Sequence, residues 1–133
     1  MHHFKSVPLY VCYYYNLHMI TVINDIRYRF QHKPIIYAIR HRATGMMYIG
    51  STFTPSLRFH QHLISGTSSN ANLQAAMALH GQSKFVLYVL ELVQIPNGLS
   101  RDQRKLYLLG REQHYMDRYS TDQLYNSSRA IAK

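Results

Sequence analysis

The sequence predicts an α+β domain. Three observations point there: two short β-type runs joined by a turn over residues 35–50, a longer β-branched and aromatic run over 84–93, and three stretches whose apolar residues recur at helical spacing beside a helix start or stop signal. At 133 residues the chain can fill one core, and a second independent domain is not expected.

Residues 1–33 read as a poorly defined N-terminal extension, and 34–133 as the ordered domain. Within the extension, Tyr13, Tyr14 and Tyr15 followed by MITVIND leave room for a short strand, and DIRYRFQHK reads as a charged connector. Arg27, Arg29 and Lys33 with Tyr28 and Phe30 between them would suit an arm for nucleic acid; a loosely held terminus is the simpler reading. The opening is apolar, basic and poor in acids, but it lacks the Ser and Arg density of a transit peptide. No apolar run approaches the ~20 residues of a spanning helix, so no membrane partner is expected.

Ile35 to Arg40 and Met46 to Gly50 form the two arms of a hairpin, with Thr44-Gly45 at its turn. Alternation puts Ile35, Tyr37 and Ile39 on one face and Ile36 and Ala38 on the other, so Tyr37 by itself could be a core residue. Thr54-Pro55 opens the first helix, with Thr as cap and Pro at a position that loses no hydrogen bond; it runs to about Ser65 and stops at Gly66. Phe59 and Leu63 point inward there, while Arg58 and His62, four apart, share a stripe at the edge of that face. Gly66 to Asn70 is a loop ending in a cap. Asn72 to His80 is the second helix, with Leu73, Ala76 and Met77 inward and Gly81 closing it. KFVLYVLELV, residues 84–93, reads as a central strand buried on both faces.

Ser100-Arg101-Asp102-Gln103 is a capping box that starts the third helix, expected to reach about Tyr119. Its apolar stripe is Leu108, Leu109, Tyr115, Met116 and Tyr119, and Glu112 falls inside that stripe. An inward carboxylate needs a cation. The candidates are an ion pair with Arg58, an ion pair with Arg111, or a divalent metal. Asn126, in the polar tail, is by itself an ordinary turn residue.

Charge narrows the function. Fifteen Lys and Arg face six Asp and Glu, a net charge of +9, and Asp25 is the only acid before Glu91 while eight Lys and Arg lie in that span. Such a surface suits polyanions, with nucleic acid foremost; Arg40, Arg42 and Lys84 are the candidate DNA contacts around the hairpin and central strand. Cys12 is the only cysteine, which excludes an internal disulfide and a Cys-based zinc site. No HExxH, glycine-rich nucleotide loop or Cys nucleophile paired with a His is present, so neither a small-molecule substrate nor an organic cofactor is expected. His60-Gln61-His62 could chelate only from an extended segment, against the helix reading. Were Tyr37, Tyr48, Arg58, His62 and Glu112 to converge, they would form a site for phosphodiester cleavage. The glutamate would hold a hard divalent cation, the guanidinium would meet the charge growing on phosphorus, and a phenol or the imidazole would serve as base.

These residues resemble the GIY-YIG nuclease superfamily. Tyr48-Ile49-Gly50 stands intact and is followed by Ser51-Thr52; the first half-motif is Ile35-Ile36-Tyr37, with Ile where the family usually has Gly. Arg58 and His62 match the Arg-x-x-x-His helix motif, Glu112 in REQHYMDRY the metal-binding glutamate, and Asn126 in LYNSS the closing asparagine. The resemblance covers about 34–130. It implies an α+β fold with a small, mostly antiparallel three-stranded sheet, the hairpin plus the 84–93 strand, flanked by about three helices. It also implies cleavage of double-stranded DNA with one Mg²⁺ or Mn²⁺ on Glu112, catalysis by Tyr37 or Tyr48 with Arg58 and His62, and a DNA-side role for Asn126. YIGST, NLQAAMALHG leading into FVLYVLE, and EQHYMDRY followed by YN look most like homing endonucleases encoded in group I introns, which would place an organelle-encoded member in the mitochondrion. Because such enzymes generally add a long C-terminal DNA-reading region, a catalytic module with weak sequence choice of its own is expected, with a transient dimer on DNA left open. The competing readings are a DNA-binding module that has lost activity, suggested by Ile35, and a structure-specific repair nuclease.

Overall fold

The computed structural model describes residues 13–16, 21–65 and 70–126. Its centre is a sheet in the order β1-β4-β2-β3, with every neighbouring pair antiparallel. The strands are β1 (Tyr13–Asn16), β2 (Ile35–His41), β3 (Met47–Thr52) and β4 (Phe85–Leu92). The α+β class and the hairpin-plus-central-strand sheet are as the sequence predicts, and β1 adds a fourth strand on the outer edge of β4. In the hairpin turn Gly45 has a φ of 76°, a left-handed conformation that glycine adopts without strain, and its N–H bonds back to the His41 carbonyl.

Among the described residues four α-helices cover the sheet: α1 (Thr21–Phe30), α2 (Pro55–His60), α3 (Ala71–His80) and α4 (Arg101–Met116). The first departs from the expected connector. Ile26 and Phe30, four apart, are fully buried in the core, and an apolar pair at helical spacing outweighs the basic residues between them. Arg27, Tyr28 and Arg29 stay outside, Arg29 held by Asp25 at 3.1 Å.

The alternation read from the hairpin sorts the core into two layers. Ile35, Tyr37, Ile39 and Tyr48 face Ile26, Phe30, Phe59, Leu73 and Met77 on one side of the sheet. Ile36, Ala38, Met47 and Ile49 face Leu108, Tyr115 and Met116 of α4 on the other. The β2–β4 register slips between Ile36 and Tyr37: Tyr37 pairs with Val89 but Ile36 with Glu91, so Leu90 is an extra residue and the bulge turns Glu91 toward α4.

The helix ends carry their expected chemistry with one exception. Ser100 and Gln103 make both bonds of the capping box, and the Asn70 side chain accepts from the Leu73 N–H at 2.7 Å. Thr54, expected to cap α2, makes no side-chain cap; its N–H bonds to the Thr52 hydroxyl instead, and Pro55 alone sets the start. Nor does α2 continue to Ser65 as a regular helix. It ends at His60 and widens into a π-helical turn, Gln61–Ser65, whose His62 and Leu63 carbonyls accept from Gln74 and Gln82. The third predicted helix ends at Met116, three residues short of Tyr119. Gly66 and the loop up to Asn70 lie outside the described residues.

Candidate active site

Tyr37 and Tyr48 come from adjacent strands of the hairpin, and the register that pairs Tyr37 with Gly50 and Ile39 with Tyr48 brings both rings to the α2 side. Their centroids are 6.1 Å apart. Between these rings lies Gly50. A Cβ there would fall 2.5 Å from Tyr37 Oη, 2.6 Å from its Cζ and 2.8 Å from Tyr48 Cε2, so the third residue of the half-motif is glycine because the phenols occupy the space above it. The sequence marked Gly50 only as part of a motif.

His62 closes the cluster. Its Nε2 lies 2.8 Å from Tyr37 Oη, its ring centroid is 5.5 Å from that of Tyr48, and it is buried. Phe59 packs edge-on against Tyr37 at 4.7 Å, fixing the phenol from α2. The π-helical turn carries His62 into this position while Arg58, in α2, keeps part of its side chain in solvent. Burial and then the Arg58 charge lower the His62 imidazole from 6.5 to about 4, so it is neutral at pH 7. Its Nδ1 is buried with no hydrogen-bond partner among the described residues.

Glu112 arrives from the opposite side of the sheet. Ile49 and Ser51 alternate with the tyrosine on edge strand β3, so Ser51 looks toward α4 and donates a 2.6 Å hydrogen bond to Glu112 Oε1. The expected ion pairs are not what the carboxylate makes. Arg111 instead engages Glu91, through Nη2 to Oε1 at 2.7 Å and Nε to Oε2 at 3.1 Å, and Tyr115 donates to Oε1 at 2.8 Å. Among the described residues no ion pair joins Arg58 to Glu112, although the Arg58 charge acts on it. Sequence reasoning missed Ser51 and Glu91. Alternation from Ile49 places the first; the second depends on the Leu90 bulge, which leaves no mark in the residue pattern.

The charges show that the five residues share one field. Burial raises Glu112 above the usual carboxylate range, opposed by the Ser51 bond and Arg58. Tyr37 is raised well above the usual phenol by burial and then by Tyr48, with Arg58 opposing. Tyr48 is raised less: burial again leads, but Arg58 and a hydrogen bond from Tyr37 hold it down. Of the two phenols, Tyr37 is the more deeply buried and burial hampers its ionisation more.

Asn126, expected on the DNA side, turns its amide to the Ile49 peptide. Its Oδ1 accepts from the Ile49 N–H at 3.0 Å and its Nδ2 donates to the Ile49 carbonyl at 2.8 Å, so it completes the outer edge of β3 as another strand would. Arg40 and Arg42 line a cleft of about 470 Å³ with Thr44, Tyr119 and Asp122 at the turn end of the hairpin, roughly 10–16 Å along β2 from Tyr37 at the usual strand rise. Lys84 is exposed at the same end, where its carbonyl accepts from the Arg42 N–H.

The family model for the GIY-YIG catalytic domain matches residues 33–126. The chain belongs to this family. No curated protein and no solved structure gives a match. Membership makes the fold that of a nuclease catalytic domain and DNA the substrate class of its superfamily. Ile35, where the family usually has glycine, is fully buried in the same core layer as Tyr37 and pairs with Thr52 and Leu92, so the larger side chain fills core rather than cleft.

The donor set fits one hard cation. Among the described residues no group of three or more His, Cys, Asp or Glu could form an all-protein cage. A single carboxylate with one donated hydrogen bond suits a divalent ion that keeps water and takes phosphate oxygens for its other positions.

Proposed function

We infer that the chain is a metal-dependent DNA endonuclease that hydrolyses phosphodiester bonds, of the kind encoded in group I introns. The observation that carries this reading is the Tyr37–His62–Tyr48 cluster lying in the field of both Arg58 and Glu112. A neutral imidazole tied to a fully buried phenol has no packing need for an arginine and a carboxylate beside it. An in-line displacement at phosphorus needs both.

Tyr48 is the general base, since burial hampers its ionisation less than that of Tyr37 and Arg58 favours its anion. Tyr37 sits between His62 and Tyr48 and donates toward Tyr48, stabilising the phenolate. In that arrangement His62 donates from Nε2 to Tyr37 Oη, which fixes the tautomer and holds the chain of protons in one direction. Arg58 offers its planar fork to the phosphoryl oxygens as charge builds. Glu112, oriented by Ser51, would hold Mg²⁺ or Mn²⁺, which when bound polarises the phosphate and stabilises the leaving oxygen.

The blocks YIGST, NLQAAMALHG with FVLYVLE, and EQHYMDRY with YN support the intron-homing subgroup. Purified chain with Mg²⁺ and supercoiled plasmid, beside Glu112→Ala and Arg58→Ala, tests the activity. Nicking by the wild type, lost in both variants, is expected; nicking that survives both, or is absent from the wild type, refutes the enzyme reading. Branched and linear duplexes side by side separate it from a junction nuclease.

A further inference from the structure

A second basic groove lies away from Arg40 and Arg42. It has a volume of about 720 Å³ and is lined by His32, Phe53, Arg101, Asp102, Arg104 and Lys105. Arg101, Arg104 and Lys105 are exposed, Asp102 is the only acid among them, and neither ion pair of the described residues uses these cations. Arg104 lies over the Phe53 ring at 5.5 Å, which holds its guanidinium at the groove wall.

The position of the groove follows from α4 and β3 together. Lys105 precedes Glu112 by seven residues and Arg101 by eleven. At about 100° per residue both project within about 20° of the Glu112 direction, and at 1.5 Å per residue they lie roughly 10 and 16 Å along the axis from it. Strand β3 agrees. Ser51 meets Glu112 and Phe53, two residues on and packed on the same layer, meets Arg104, so strand and helix run side by side from the catalytic carboxylate to the groove.

We propose that Arg101, Arg104 and Lys105 grip the phosphate backbone of the duplex on one side of the scissile bond. The axial offset corresponds to about three to five base pairs at 3.4 Å each. Arg101 and Lys105 are on one stripe with the carboxylate and Arg104 flanks them over Phe53, so the cations follow the helix axis, which is the pattern a regularly spaced polyanion requires and a compact anion does not. Contact is to phosphate, so it sets position and affinity without reading sequence. This rests on DNA being the substrate of the Glu112 site.

The test uses the double variant Arg101→Gln/Lys105→Gln, whose side chains are exposed and belong to neither ion pair of the described residues. Binding to a 30-base-pair duplex is measured by fluorescence anisotropy between about 50 and 200 mM salt, with both proteins also carrying Glu112→Gln so that DNA stays intact. Loss of two phosphate contacts makes the slope of log affinity against log salt shallower by about 1.8. In the cleaving protein, the double variant raises the KM for nicking, and cutting one flank to two base pairs raises it in the wild type but not further in the variant. An unchanged salt slope, or flank truncation that adds to the substitutions, overturns the proposal. Should the wild type fail to nick while the slope difference persists, the groove stands and the nuclease reading falls.

Discussion

Replacing Gly50 with alanine probes the site most directly. The added methyl would meet three heavy atoms of two rings at 2.5, 2.6 and 2.8 Å, and ordinary carbon contact is about 3.5–4.0 Å, so the rings must retreat by about 1 Å. Tyr37 has nowhere to go. It is fully buried, Phe59 abuts it edge-on, and its oxygen is fixed at 2.8 Å from His62. Overpacking of this kind costs about 1–3 kcal/mol, and a 1 Å displacement of a catalytic group costs about a hundredfold in rate. Urea denaturation and initial rates of plasmid nicking read the two effects separately. Adding Tyr37→Phe removes the closest contact but leaves Cζ in place, so the double variant recovers part of the stability and none of the activity. A Gly50→Ala protein with wild-type midpoint and nicking within threefold of wild type would refute the close-packed phenol pair.

Three further outcomes follow from the same geometry. Because burial raises the Glu112 pKa, the folded state holds the extra proton between the ordinary carboxylate value and the raised one, so its contribution to stability falls as pH rises through that window. Glu112→Gln therefore melts higher than wild type at pH 7, and Mg²⁺ or Mn²⁺ raises the wild-type melting temperature but not the variant's. His62 has the opposite sign: its folded value of about 4 lies below its ordinary 6.5, so about 3 kcal/mol of stability is present above pH 6.5 and is lost as pH falls toward 4, and urea titrations should show this slope reduced in His62→Gln. Asn126→Ala removes both hydrogen bonds to the Ile49 peptide; a loss of about 1–3 kcal/mol in urea denaturation, with slower nicking, is expected.

The hairpin, β4 and the capped helices were legible because each is written locally, in period-2 alternation or in a cap and its partner three residues away. Helix α1 was not, since its buried pair Ile26 and Phe30 stands at helical spacing among the basic residues Arg27 and Arg29, which drew a connector reading. The five catalytic candidates were chosen by residue type and order. The bond between Ser51 and Glu112 was not derivable from spacing, because α4 and the phenols lie on opposite faces of the sheet and are linked through the edge strand that carries both Tyr48 and Ser51. The Asn126 bonds to Ile49 were not legible for a related reason: an amide that mimics a ladder partner leaves no pattern in sequence. A one-residue slip of β3 would exchange Tyr48 with Ile49 between faces, so this side chain, by holding Ile49 at both N–H and carbonyl, also guards the register on which the phenol pair depends.

Glu91 matters beyond anchoring α4. By gripping Arg111 through two nitrogens, it withdraws the guanidinium next to Glu112 in sequence from any role as internal counterion. The Glu112 carboxylate is thereby left to the Ser51 hydroxyl rather than to its neighbour's guanidinium, and under the metal-dependent reading proposed above that keeps it open to a hydrated cation.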